Sequence, residues 1–183
     1  MMDRQTRIAL LVDHYKNPRA RGTLDDADVS MPGGNPGCGD VVTMHVKADP
    51  ADDRIEAVRF EGEGCTISQA AASILTDRAN KKHYTFDEIG AMTYEQMIEL
   101  LGADIVGSRP RCATLALGTL KAAVRRIDMD RKLRAAGRSD EEIAQMRAAL
   151  AQQASGGLVF GEEAVARVRE EEPTEKHPDG GVL

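Results

Sequence analysis

The stretch "DVVTMHVKADPADDRIEAVRFEGEG", residues 40–64, holds two segments of alternating apolar and polar residues on either side of a turn. Val42, Met44 and Val46 recur at every second position and so share one face of a strand; Ile55, Val58 and Phe60 supply the second strand. Between them, Asp49-Pro50 through Asp53 has turn chemistry, because proline presets its backbone and aspartate bonds to its own. The spacing predicts a β-hairpin.

Outward from the hairpin the period changes. Upstream, "PRARGTLDDADVSMPGGNPG" (18–37) reads as a turn-rich connection, and before it "TRIALLVDHYKN" (6–17) places Ile8, Leu11, Val12 and Tyr15 at helical spacing, with Asn17-Pro18 as a stop. Downstream, "TISQAAASILTDRANKK" (66–82) carries Ile67, Ala71, Ile74 and Leu75 on one helical face, so a helix is expected just after Gly64-Cys65. "TFDEIGAM" and "TYEQMIELLG" predict two short helices. Only the first is expected to form a capping box, from Thr85 and Glu88, since Glu95 stands two positions after Thr93 rather than three. "CATLALGTLKAAVRRI" predicts a further helix starting at or near Cys112. Strands followed by helices predict an α+β fold, with helices packed on one face of a small antiparallel sheet. Residues 1–128 are read as this domain, and 129–169 as a helical extension with a helix capped by Ser139 and another in "EEAVARVREEEP". The charged residues 170–183 fit a disordered tail.

Composition narrows the function. With 183 residues, 42% hydrophobic and 30% charged, the chain suits a soluble protein with one core and an appendage. Aromatics are 3% and Trp is absent, which leaves few rings to stack on bases or sugars; a net charge of −6 also disfavours a polyanion, so no nucleic-acid partner is expected. No apolar run reaches the roughly 20 residues of a membrane span, and the N-terminal stretch lacks a signal peptide's apolar core; a cytosolic location is expected. Thiols are kept reduced there, and three cysteines is an odd number, so metal or sulfur chemistry explains them better than disulfides.

Cys38, in "GNPGCGD" (34–40), enters the hairpin, and Cys65 leaves it, so both should lie at one end of the sheet. Cys112 joins them if its helix packs across the sheet with its N-terminus at that end. Helix N-termini at Cys65 and Cys112, with Arg109 and Arg111 beside the latter, favour thiolates. Three thiolates with Asp40 would satisfy tetrahedral zinc, or leave one iron-bound position exchangeable, while sulfur acceptance needs an exposed thiolate. Singly, each cysteine reads as a small hydrophobe, and Asp40 as a turn cap. His14, His45, His83 and His177 are read as surface or structural residues.

Four motifs in order, "DHYKNPRARGTLDDADV", "GNPGCGD", "FEGEGCTISQAAASILT" and "RPRCATLALGTLKAA", resemble the U-type iron–sulfur cluster assembly scaffolds, the family of IscU, SufU and the N-terminal part of NifU, over about residues 5–126. The resemblance implies a compact α+β domain of the SufE/NifU-like kind, with Cys38, Asp40, Cys65 and Cys112 as ligands of a metal or cluster at one end. It also implies that Cys112 accepts persulfide sulfur from a pyridoxal-phosphate-dependent cysteine desulfurase, and that a transient cluster, most simply [2Fe–2S], passes to apo-protein recipients. Departures bear on subtype. Arg111 stands where IscU-type members have histidine, "VGSRPRC" lacks their Leu-Pro-Pro-Val-Lys chaperone motif, and the Cys65–Cys112 segment is short for a SufU. The alternative is a SufU-like zinc-dependent sulfurtransferase that activates the desulfurase. A purely structural zinc site comes third. A monomer or weak homo-oligomer is expected.

Overall fold

The computed structural model describes residues 3–150 and 157–170. In chain order the elements are α1 (Arg4–Lys16), β1 (Val29–Asn35), β2 (Asp40–Ala48), β3 (Ile55–Glu63), α2 (Thr66–Lys82), α3 (Phe86–Ala91) and α4 (Tyr94–Leu101). There follow α5 (Ala103–Val106), α6 (Pro110–Ala135), α7 (Asp140–Leu150), β4 (Val159–Phe160) and α8 (Ala164–Glu170).

The hairpin forms as expected. Met44 lies opposite Phe60 and Val46 opposite Val58, and all four are fully buried with Val42 and Ile55. β1 was not expected, because Pro32, Gly33 and Gly34 read as turn chemistry. It pairs antiparallel with β2 from Val29↔Val46 to Asn35↔Asp40, which turns the glycine-rich approach to Cys38 into a strand. The glycines serve packing here. A Cβ on Gly33 would drive into Thr119 of α6, and one on Gly34 would stand 2.5 Å from Val168 of α8. Successive strand residues point to opposite faces, so α6 and α8 lie on opposite sides of the sheet.

The sheet is antiparallel throughout, in the order β3-β2-β1-β4, and the expected α+β layering holds. α2 and α6 cover the inner face, burying Ala71, Leu75, Leu115, Leu117 and Leu120 against the strands. α3 and α4 lie along α6. Both have capping boxes: Thr85 with Glu88, as expected, and Thr93 with Gln96. The second was missed because glutamine at the third position caps as well as glutamate.

α1 packs on α2 through Leu11 and His14, while Val12 and Tyr15 are exposed, which corrects the expected apolar stripe. His14 Nδ1 lies 2.8 Å from Ser73 Oγ, which also accepts from the Arg19 N–H at 2.8 Å; burial, and then the Arg19 charge, push the imidazole towards its neutral form. A period search over apolar letters does not count an imidazole. His45 bonds Ser30 and Glu61, and His83 caps α2; these three are structural. His177 and residues 171–183 of the expected tail lie outside the described residues.

α6 runs unbroken through residue 128 to Ala135, and beyond it Ser139 and Glu142 bond reciprocally at the start of α7. β4 was not expected. It pairs Phe160 with Gly33 and Val159 with Gly34, and Val159, Ala164 and Val168 cover Val41 on the outer face. Among the described residues no helix is long and apolar enough to cross a membrane.

Candidate metal centre

The centre is built where β1 turns into β2. The Cys38 N–H donates to the Asn35 carbonyl at 3.1 Å, closing a tight turn; Gly39 takes φ +71, the left-handed region that glycine adopts without strain. Cys38 is therefore exposed at the turn's tip, while Asp40 starts β2 wholly buried.

The other end of the hairpin meets it there. β3 ends at Glu63, and Cys65, half-buried, is the N-cap of α2. Its backbone N–H donates to Asp40 Oδ1 at 2.8 Å, and the Ser68 hydroxyl donates to the same oxygen at 3.2 Å. Asp40 thus accepts one of the unpaired donors at the start of a helix. Gly64 makes this approach feasible. It has φ +157, and a Cβ there would stand 2.6 Å from Ser68 Oγ and still closer to Asp40.

α6 brings the third cysteine. Cys112 is the third residue of the helix and is buried against the turn, its thiol 3.5 Å from Cys38 Sγ. Ligand atoms of Cys38, Asp40 and Cys112 all lie within 4.8 Å of one another. Asn35, also wholly buried, donates from Nδ2 to Asp40 Oδ2 at 3.4 Å and to Cys112 Sγ at 3.6 Å. The geometry therefore gathers three of the four expected ligands. The Cys65 thiol stands outside that group, and this residue enters through its backbone.

Electrostatics differ from expectation at Cys112. Burial first, then hydrogen bonding to Asp40 and Cys38 and the charge of Asp40, push its thiol far above the ordinary cysteine range. The helix start does not offset this, and Arg109 and Arg111 are both exposed. The Arg111 guanidinium lies 3.0 Å from where a Gly157 Cβ would be and 3.9 Å from that of Gly37, over the turn rather than in the centre. A cation reverses the balance, because a coordinated thiol gives up its proton. Two soft sulfurs and one hard oxygen at this separation fit zinc or iron. Asn35, Gly64 and Ser68 were missed by sequence reasoning. Asn35 stood in view inside "GNPGCGD", and the signal was a polar side chain among small residues.

Comparison with known proteins agrees with this architecture. The model of the family described as "NifU-like N terminal domain" matches residues 8–133. The "Iron-sulfur cluster assembly scaffold protein IscU 1" of Archaeoglobus fulgidus is 36% identical over 120 residues, covering 66% of this chain and 74% of that protein. The "Zinc-dependent sulfurtransferase SufU" of Bacillus subtilis is 35% identical over 130 residues, covering 63% of this chain and 86% of its own length. The crystal structure of a putative iron–sulfur cluster assembly scaffold for the SUF system, from Fervidobacterium islandicum, superposes with a TM-score of 0.53 at 25% identity, over 63% of this chain and 93% of that one. On the family match, over more than half of its residues, this chain belongs to the NifU-like N-terminal domain family.

Proposed function

We propose that this protein is an iron–sulfur cluster assembly scaffold, working in the cytosol through the domain at residues 1–128, with 129–169 as an appended extension. The observation that carries this reading is the convergence of Cys38, Asp40 and Cys112 within 4.8 Å at one end of the sheet. Iron is taken up there, and Cys65, whose thiol stands outside the group of three, completes the ligand set by turning its side chain inward from the N-cap of α2. Cys112 is the acceptor of sulfur. Its thiolate attacks the outer sulfur of a persulfide on a pyridoxal-phosphate-dependent cysteine desulfurase; a new S–S bond forms, the old one breaks, and the desulfurase cysteine leaves as a thiolate. Converting the transferred sulfur to sulfide takes two electrons from an external reductant. The cluster so built, of the [2Fe–2S] type, passes to apo-proteins. Asp40 favours release, since a hard oxygen among soft sulfurs is the weakest tie to iron.

The test is anaerobic reconstitution with ferrous iron, cysteine, a reductant and a desulfurase, followed by absorption spectroscopy and transfer to an apo-ferredoxin. The reading requires a bound chromophore that decays as the recipient gains its own.

A second reading is supported by Arg111 before the third cysteine and by the 35% identity to a zinc-dependent sulfurtransferase. On it, zinc resides on the same groups and guards the thiolates until Cys112 carries sulfur onward. Stoichiometric zinc, no chromophore after reconstitution, and faster desulfurase turnover would establish this reading and exclude the first.

A further inference from the structure

We infer that Asn35 is a positioning residue of the metal centre, whose side-chain amide holds Asp40 and the Cys112 sulfur at binding separation; this rests on the metal-centre reading proposed above. Asn35 closes β1 directly opposite Asp40 and is wholly buried. Its amide nitrogen carries two hydrogens and has two acceptors, Asp40 Oδ2 at 3.4 Å and Cys112 Sγ at 3.6 Å, the longer reach reflecting the size of sulfur. Charge fixes the amide's orientation. Turned end for end, Oδ1 would face the Asp40 carboxylate, and no hydrogen would point at sulfur.

The orientation has a consequence on the far side. Oδ1 is buried without a hydrogen-bond partner among the described residues. A buried acceptor left unpaired is unfavourable, so a side chain needed here only for packing would be better apolar. The amide makes sense through its donors, which face the two ligand atoms that carry negative charge once a cation has displaced the thiol proton. An N–H aimed at a metal-bound thiolate directs its lone pairs and withdraws charge from sulfur. Loss of such supporting partners typically weakens metal binding about 10- to 100-fold.

The experiment compares the full-length protein with Asn35→Leu and Asn35→Ala, titrating Co²⁺ alone under anaerobic conditions. It follows the thiolate-to-cobalt charge-transfer absorption, and the melting temperature without metal is measured alongside. Asn35→Leu, close in volume but without donors, should bind Co²⁺ about 10- to 100-fold more weakly with a shifted charge-transfer band, at an unchanged or raised melting temperature. Asn35→Ala, which removes the donors without adding bulk, charge or a new ligand, should also weaken binding, and it decides the matter should the leucine variant not fold. Wild-type affinity and an unmoved band in the folded variants would overturn the role of Asn35 while leaving the centre itself intact. If the wild-type protein takes up no Co²⁺, the metal-centre reading falls, and this inference with it.

Discussion

At the scale of single residues, Asp40 carries two loads that pull apart. As a candidate ligand it is the labile one, so Asp40→Ala should lengthen the life of a bound cluster, read as slower decay of its absorbance; faster loss would contradict the role given to it. As an acceptor it ties the start of α2 to β2 through Cys65 N–H and Ser68. The same substitution strands the Cys65 N–H, while Ser68 keeps the Cys65 carbonyl as acceptor at 3.0 Å, and should destabilise the metal-free protein by about 1–3 kcal/mol in denaturant titration. Cys112 presents a different tension, since the proposed acceptor is the most buried of the three thiols and Cys38 is the most exposed. After incubation with a desulfurase and cysteine, mass spectrometry should find the added sulfur on Cys112, and Cys112→Ser should abolish it. Sulfur persisting on Cys38 in that variant would move the acceptor to the turn. The residue types of the centre were legible in the sequence, but not that Asn35 and Ser68 surround Asp40: Ser68 is 28 positions away, and Asn35, five positions away, faces Asp40 only because β1 pairs with β2 across the turn.

At the scale of elements, most self-contained local chemistry was readable, with the Thr93–Gln96 box as an exception. The hairpin, α2 and the Thr85 cap follow from periods and from partners three residues apart. The Thr93–Gln96 box has the same bonds, so Thr93→Ala should cost about 1 kcal/mol, and a melting curve equal to wild type would show the box to be idle. β1 escaped because its glycines and proline look like turn residues; only the approach of Thr119 on one side and Val168 on the other explains why side chains are missing there. That geometry makes Gly34→Ala a probe of the extension. Its Cβ would collide with Val168 and not with α6, so it should loosen α8 and β4, raising amide exchange at Val159, Phe160 and 164–168 while α2 and α6 stay protected. Uniform loss of protection would mean that the extension and the core unfold as one unit.

At the scale of the whole molecule, the α1–α2 contact links stability to pH. Burial, and secondarily the Arg19 charge, hold His14 below the ordinary histidine value of 6.5. The folded state keeps the ring neutral while the unfolded chain protonates near 6.5, so the unfolded state binds more protons in that window. The contribution is complete above pH 6.5, is lost as the pH falls towards the folded value, and levels off below it. Denaturant midpoints at pH 7.5 and 5.5 should therefore differ more in the wild-type protein than in His14→Gln. Equal differences would remove His14 as the source.

The sequence alone determined the α+β class, the hairpin, the helix starts and the set of sulfur and carboxylate residues, because alternation, capping and residue chemistry act over a few positions. The tertiary structure decided which of those residues meet. It placed α6 so that Cys112 reaches Cys38 and Asp40, left the Cys65 thiol aside while using its backbone, and made the approach to Cys38 a strand covered on both faces. The physical reason is range. A period records which side of an element is buried, whereas the distance between two thiols 74 positions apart depends on how whole elements pack, and no local pattern encodes that.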